Sequence, residues 1–190
     1  MQRQRADARA NRVQLLEAAA RVFLENGISV PLDAVIDAAG VSRATFYRNF
    51  ADRSALITAL TDEALIGLET HAASQPDDAS KVFRLFEYIS KQLVQNPVLV
   101  DSWRFFGTGS PELRSFDRRF HAVFKEPIST AKDGETLRSD FSISDVSLVK
   151  DMLGTIIGQS SSDRRQVVAN RIMNLIKDGI SKVPAEIVEP

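Results

Sequence analysis

Gly40-Val41-Ser42-Arg43-Ala44-Thr45-Phe46-Tyr47-Arg48-Asn49-Phe50 is the stretch that decides how this 190-residue chain is read. Laid on a helix at about 100° per residue, it puts Phe46 and Phe50 on one side with Ser42. Ala44, Thr45 and Arg48 point the other way, and Arg43, Tyr47 and Asn49 lie on the flanks. Two aromatics thus anchor the helix to a core. The opposite face offers a small residue, a hydroxyl and an arginine, the chemistry a helix needs to enter a major groove and touch base edges. Tyr47, Asn49 and Arg53 fall where phosphate oxygens would flank such a helix, and donors there set register without reading sequence. Taken singly, each residue has a plainer reading: Ser42 as an N-cap, Tyr47 as a surface aromatic, and Arg43, Arg48 and Arg53 as solvated charge.

The neighbouring segments give this helix its context. Upstream, Val13, Leu16, Ala20, Phe23 and Leu24 recur at helical spacing, predicting one apolar stripe on a helix that Gly27 closes as a left-handed C-cap. Pro31 to Gly40 predicts a helix of about two turns, with Pro in its first turn, acids at its positive end and Gly at its stop. Downstream, Asp52 is placed to cap a longer helix from Arg53 to about His71. Short helix, tight turn and short helix make a helix-turn-helix pattern.

Pro76-Asp77-Asp78, within residues 73–80, is the first clear loop signal. Beyond it, periodicity predicts helices at about 79–95, 97–107, 111–132, 144–160 and 163–181, so the chain reads as all-α. Pro127 lies inside the longest of these and is expected to kink or split it. The one hint of extended chain is Phe141 to Ile143. Val146, Val149, Met152, Leu153, Ile156 and Ile157, followed by Val167, Val168, Ile172, Leu175 and Ile176, predict two apolar stripes joined by a short turn, a helical hairpin. Aromatic residues from Phe83 to Phe124 are mainly core candidates, with some available to line a pocket.

Composition excludes several function classes. The chain is 44% hydrophobic and 26% charged, as in an ordinary globular protein. Its net charge of −1 hides an asymmetry: residues 1–54 hold eight Arg against six acids, whereas the remainder holds sixteen basic residues against nineteen acids. Arg3, Arg5, Arg9 and Arg12 face only Asp7 and form a basic N-terminal arm suited to a polyanion. With no cysteine there is no thiol nucleophile and no Cys-ligated metal. The two histidines, His71 and His121, are far apart, and no HExxH, GxSxG, P-loop or dinucleotide fingerprint occurs. Neither an enzyme nor a cofactor is therefore expected. The polar N-terminus and the lack of any long apolar run predict a cytoplasmic protein without a membrane segment.

Gly-Val-Ser at 40–42, Phe46-Tyr47 and Phe50-x-x-Arg53-x-x-Leu56, following a helix that ends Ala38-Ala39-Gly40, resemble the TetR family of transcriptional regulators. The resemblance is strong over residues 10–61 and rests mainly on length and helix number beyond residue 72. It implies a DNA-binding head at 1–54 and a helical effector-binding and dimerisation domain at 55–190. It also implies that Ser42, Arg43, Ala44 and Thr45 make most base-edge and nearby contacts, while Tyr47, Arg48, Asn49 and Arg53 clamp phosphates. Asn49 stands where many members have His, and Arg53 where many have Lys.

The partners implied are double-stranded DNA, a largely apolar small-molecule effector and a second copy of the chain. In such a family the last two helices of each subunit pair, which points to Val149, Met152, Ile156, Val168, Ile172 and Leu175 for dimerisation. Trp103, Phe106 and His121 are the effector-site candidates, since helices around 97–124 often surround the family's cavity. The expected function is that of a repressor released from a palindromic operator by a small molecule. The alternative is a helical dimerisation or adaptor protein with a degenerate head.

Overall fold

The computed structural model describes residues 2–96, 98–107, 109–158 and 161–182, and the side chains of these apart from 2–9, 98, 102–104, 157 and 158. In chain order the helices are α1 (Gln2–Asn26), α2 (Leu32–Ala39), α3 (Arg43–Asn49), α4 (Arg53–Ser74), α5 (Lys81–Gln95), α6 (Val98–Phe106), α7 (Pro111–Asp133), α8 (Ile143–Gly154) and α9 (Ser162–Ile180). There is no strand among the described residues, and the all-α reading is borne out.

The helices begin and end where local chemistry stops or starts them. Gly27 and Gly40 follow α1 and α2 with φ of +78° and +62°, the left-handed conformation that releases the chain from a helix. Gly40 donates its N–H to the carbonyls of Ile36 and Asp37. Space around Gly40 is open, so Gly40→Ala is expected to cost about 1 kcal/mol from backbone strain alone, read as a lower midpoint in urea denaturation. Ser42 caps α3, and the Asp52 carboxylate accepts from the Ala55 N–H at 2.8 Å at the head of α4. At α8, the Asp145 carboxylate accepts from both the backbone N–H (2.6 Å) and the hydroxyl (2.8 Å) of Ser142.

The chain divides into two compact units, Met1–Ala64 with Asn96–Arg114 and Leu65–Gln95 with Ser115–Pro190. In the first, α1 buries Leu15, Leu16, Ala18, Ala19, Val22 and Phe23 together with Val35, Ile36 and Ala39 of α2, Phe46 of α3, and Phe50, Leu56 and Ile57. The stripe on α1 is thus rotated from the expected one. Val13 and Leu24 are exposed, while Ala18 and Ala19 are buried in the core that α1 shares with α2. Gln14 tightens this contact by donating to the Ala39 carbonyl at 2.7 Å. The basic arm is the first part of α1, which begins at Gln2.

The second unit is built on stacked phenylalanines. Phe86 and Phe124 lie with centroids 4.9 Å apart, and Phe120 meets Phe116 at 5.6 Å and Phe124 at 5.3 Å. Against them lies a buried charge. Lys150 donates to the Asp117 carboxylate at 2.9 Å while its ammonium sits 5.7 and 5.8 Å from the Phe116 and Phe120 rings. Arg119 clamps Glu69 through two bonds, at 3.0 and 2.9 Å. His71 stacks on Tyr88 at 4.2 Å, and burial raises the Tyr88 phenol above its ordinary pKa.

Three expectations are corrected in this unit. Pro127 does not split α7: it is buried with Phe124, Ile128 and Ala131, and that packing keeps the helix continuous despite the missing N–H. Phe141 to Ile143 is not extended pairing. Phe141 is a buried turn residue donating to the Arg138 carbonyl, and Ile143 opens α8; the isolated bridge present joins Leu137 to Ser181. The eighth helix ends at Gly154 and runs on as a tighter 3₁₀ turn, Thr155–Gly158.

Candidate nucleic-acid interface

Helix α3 is held by its aromatic side. Phe46 is fully buried and Phe50 nearly so, and their rings lie 5.9 Å apart. That orientation leaves Ser42, Arg43, Ala44, Tyr47 and Arg48 exposed, with Thr45 and Asn49 half-buried. The wheel drawn from spacing matches the burial at Phe46 and Phe50, but Ser42, drawn on their side, is exposed as the N-cap, and Thr45, drawn opposite, is half-buried.

The side chains at 42–49 are already organised. The Ser42 hydroxyl accepts from the Thr45 N–H at 3.1 Å and shares a hydrogen bond with the Thr45 hydroxyl at 2.9 Å. Arg48 donates to the same Thr45 hydroxyl at 3.0 Å, joining Ser42, Thr45 and Arg48 in one chain of contacts. Asn49 bonds back to the Thr45 carbonyl at 2.8 Å. Arg43 donates to the Asp33 carboxylate on α2 at 2.6 Å. The Tyr47 ring stands edge-on to Phe46 at 5.2 Å and is about half exposed.

Arg53 behaves differently from the others. Its guanidinium donates to the carbonyls of Ile28 and Val30 and lies 5.9 Å from the Phe23 ring. It therefore ties the turn between α1 and α2 to the start of α4. Arg12 covers the Phe50 ring at 4.7 Å. Spacing could not reveal either contact, because each partner is more than twenty residues away.

The effector candidates are not brought together by what is described. Phe106 packs on the core of the first unit, and the Trp103 side chain lies outside the described residues. His121, in the second unit, shares a 2.7 Å hydrogen bond with the Ser147 hydroxyl. Two open grooves are present, one of about 540 Å³ between α5 and α9 and one of about 570 Å³ lined by Lys132, Glu135, Arg138, Asp140 and Lys182 among others. Neither includes a candidate residue, and charged and amide side chains make up most of each lining. No cluster of His, Asp or Glu able to hold a metal occurs among the described residues.

The dimerisation candidates divide by burial. Val149 and Ile156 are covered by the chain's own packing and so cannot form an outer face, a correction to their assignment. Met152 and Leu175 are exposed, and Val168 and Ile172 are half-buried. Leu148 and Val167, absent from the dimerisation candidates, are the most exposed large apolar residues in the described chain.

Residues 15–60 match the model for bacterial regulatory proteins of the tetR family. No curated protein matches the chain in sequence. Among solved structures, a TetR transcription regulatory protein from Mycobacterium vanbaalenii is 25% identical over 94% of this chain and 99% of its own, with a TM-score of 0.63. A gamma-butyrolactone receptor, described as ArpA-like, shares the fold at a TM-score of 0.66 and 20% identity over 93% of this chain and 91% of its own. So does the ketosteroid transcriptional regulator KstR2 of Mycobacterium tuberculosis, at 0.65 and 17% over 90% of this chain and 95% of its own. The matched segment is the one that completes α1, builds α2 and α3 and starts α4, and the fold agrees over nine-tenths of the length: residues 15–60 carry the segment described for bacterial regulatory proteins of the tetR family, and the chain as a whole is similar to TetR transcription regulators of known structure.

Proposed function

We propose that this protein is a dimeric repressor that leaves a palindromic operator when a small, largely apolar molecule binds its helical domain. The observation that carries the DNA-reading part is the polar surface of α3, presented by a helix whose aromatic side is locked in the core. We assign base-edge and nearby contacts to Ser42, Arg43, Ala44 and Thr45, and phosphate contacts to Tyr47, Arg48 and Asn49. Arg53 is assigned a positioning role, because its guanidinium is engaged by Ile28 and Val30. DNA reading is assigned to residues 1–54, and effector binding and pairing to 55–190.

Pairing is assigned to α8 and α9 through Leu148, Met152, Val167 and Leu175, with Val168 and Ile172 at the edge of the patch. An isologous contact there gives two heads, and a head carrying only a small basic excess gains from binding in pairs. The effector class rests on the fold neighbours, one named as a receptor for a gamma-butyrolactone and another as a ketosteroid regulator. Helix α4, 22 residues without a break, starts beside the reading helix and contributes Leu65 and Leu68 to the second unit. In this proposal its tilt carries the effector signal, and the effector's preference for one tilt sets how far the equilibrium moves. Such a regulator works in the cytoplasm, where the DNA is.

Selection of bound sequences from random duplex DNA tests the reading directly. A palindromic preference with half-sites one or more helical turns apart supports it, and retention of no preferred sequence refutes it. Tyr47→Phe is expected to weaken binding to preferred and random duplexes alike by about fivefold, the loss of one hydrogen bond to phosphate, with base preference unchanged. Fluorescence anisotropy on both duplexes measures this, and an unchanged affinity would remove Tyr47 from the phosphate set.

A further inference from the structure

Arg43 opens the reading helix, and its side chain is two-thirds exposed. A long, solvated arginine ordinarily samples many rotamers and loses that freedom when it binds. In this chain it is held from a different helix. Asp33, in the first turn of α2, takes one Nη2 hydrogen at 2.6 Å. The Nε and Nη1 groups have no partner among the described residues, so the planar fork still has donors to give.

We infer that Asp33 is a specificity-determining residue: it positions the Arg43 guanidinium across the α2–α3 turn so that its remaining donors meet a base edge. The inference rests on the assignment of α3 to DNA reading. A carboxylate facing a polyanion is otherwise a liability, since its charge alone opposes DNA. The carboxylate suits the positive end of α2, but that role needs no contact with Arg43, and an ion pair with both partners more than half exposed contributes little stability. What the contact does supply is order in a flexible side chain before binding, which spares the complex part of the entropy cost of immobilising it. A guanidinium fixed in place also discriminates better, because a bidentate contact to guanine depends on the plane of the fork.

The charge effect and the positioning effect have different signatures, which makes the test decisive. Asp33→Asn removes a negative charge, so through charge alone it strengthens binding to every duplex and leaves the ratio of preferred to random affinity unchanged. Through lost positioning it lowers that ratio, by roughly threefold to tenfold, and flattens base preference at one position in each half-site. The experiment is anisotropy titration of the full-length protein on its selected duplex and on a random duplex. It compares the unmodified chain, D33N, R43Q, the D33N/R43Q pair, and D37N as a control that removes an exposed acid from the same helix.

The expected result is a reduced ratio for D33N, an unchanged ratio for D37N, and no further effect of D33N once Arg43 is gone. An equal ratio for D33N and the unmodified chain overturns the inference. So does an effect of D33N that persists in the R43Q background, which would show that Asp33 acts on something other than Arg43. If the unmodified chain selects no preferred duplex at all, the assignment of α3 to DNA reading fails, and this inference falls with it. Thermal melting followed by circular dichroism shows whether D33N is folded, and the coupling between the two substitutions is read against R43Q in any case.

Discussion

Phe46→Ala is expected to destabilise the first unit by about 3–5 kcal/mol and to abolish measurable DNA binding. Phe46 is completely buried, touches the rings of both Tyr47 and Phe50, and sits midway along a helix of seven residues. So short a helix does not hold itself together, because most helical stability in proteins comes from packing of the apolar side. Truncation leaves a cavity under α3, and the helix loses the contact that aims its outer face. Urea denaturation followed by circular dichroism should show the lower midpoint, and anisotropy the lost binding. A variant as stable as the unmodified chain would show that Phe46 is not what anchors α3, and the geometry proposed for DNA reading would lose its base.

Leu148→Glu combined with Leu175→Glu is expected to convert a dimer to a monomer at micromolar concentration and to weaken binding to the selected palindrome by 100-fold or more. Both residues are exposed on the single chain, so the added carboxylates cost little in folding. In the proposed isologous contact each would face an apolar surface, and each is present twice by symmetry. The affinity loss follows from effective concentration, because a second head tethered beside the first binds at little further cost. Binding to a single half-site should stay within about twofold, which separates this effect from damage to the reading surface. Analytical ultracentrifugation decides the oligomeric part. A double variant that still sediments as a dimer would place the pairing surface elsewhere.

The success of the sequence reading and its shortfall have physical causes visible in particular residues. Gly27, Gly40, Ser42 and Asp52 act on the backbone within a few positions of themselves, so the C-termini of α1 and α2 and the starts of α3 and α4 were legible, whereas α4 runs past the expected His71 to Ser74. The side of α3 that faces the core was legible too, since two phenylalanines four residues apart leave little choice of orientation. On α1 the same reasoning was off by part of a turn. An apolar stripe read from spacing leaves out which side of the helix its neighbours cover, and the core shared with α2 takes in Ala18 and Ala19 while Leu24 stays exposed. At Pro127 the local penalty was read correctly but outweighed, as buried packing on both sides keeps α7 in one piece.

Charged side chains show the limit most clearly. Arg53 looks like a phosphate ligand in a motif and is engaged in the structure by two carbonyls of the α1–α2 turn. Lys150 stands among the apolar stripe residues of α8 with nothing in its spacing to mark a partner, and it is buried against Asp117 and two aromatic rings. Leu148 and Val149 are neighbours of similar hydrophobicity, and one faces out while the other is covered. What the amino-acid sequence determined by itself was local: the all-helical class, the helix-turn-helix, and the polar face of its second helix, because periodicity and capping operate within one or two turns. Only the tertiary structure decided which partner each charge meets and which apolar residues stay exposed. Those outcomes depend on groups that spacing along the chain leaves unrelated, as Asp33 and Arg43 are until the turn between α2 and α3 brings them within 2.6 Å.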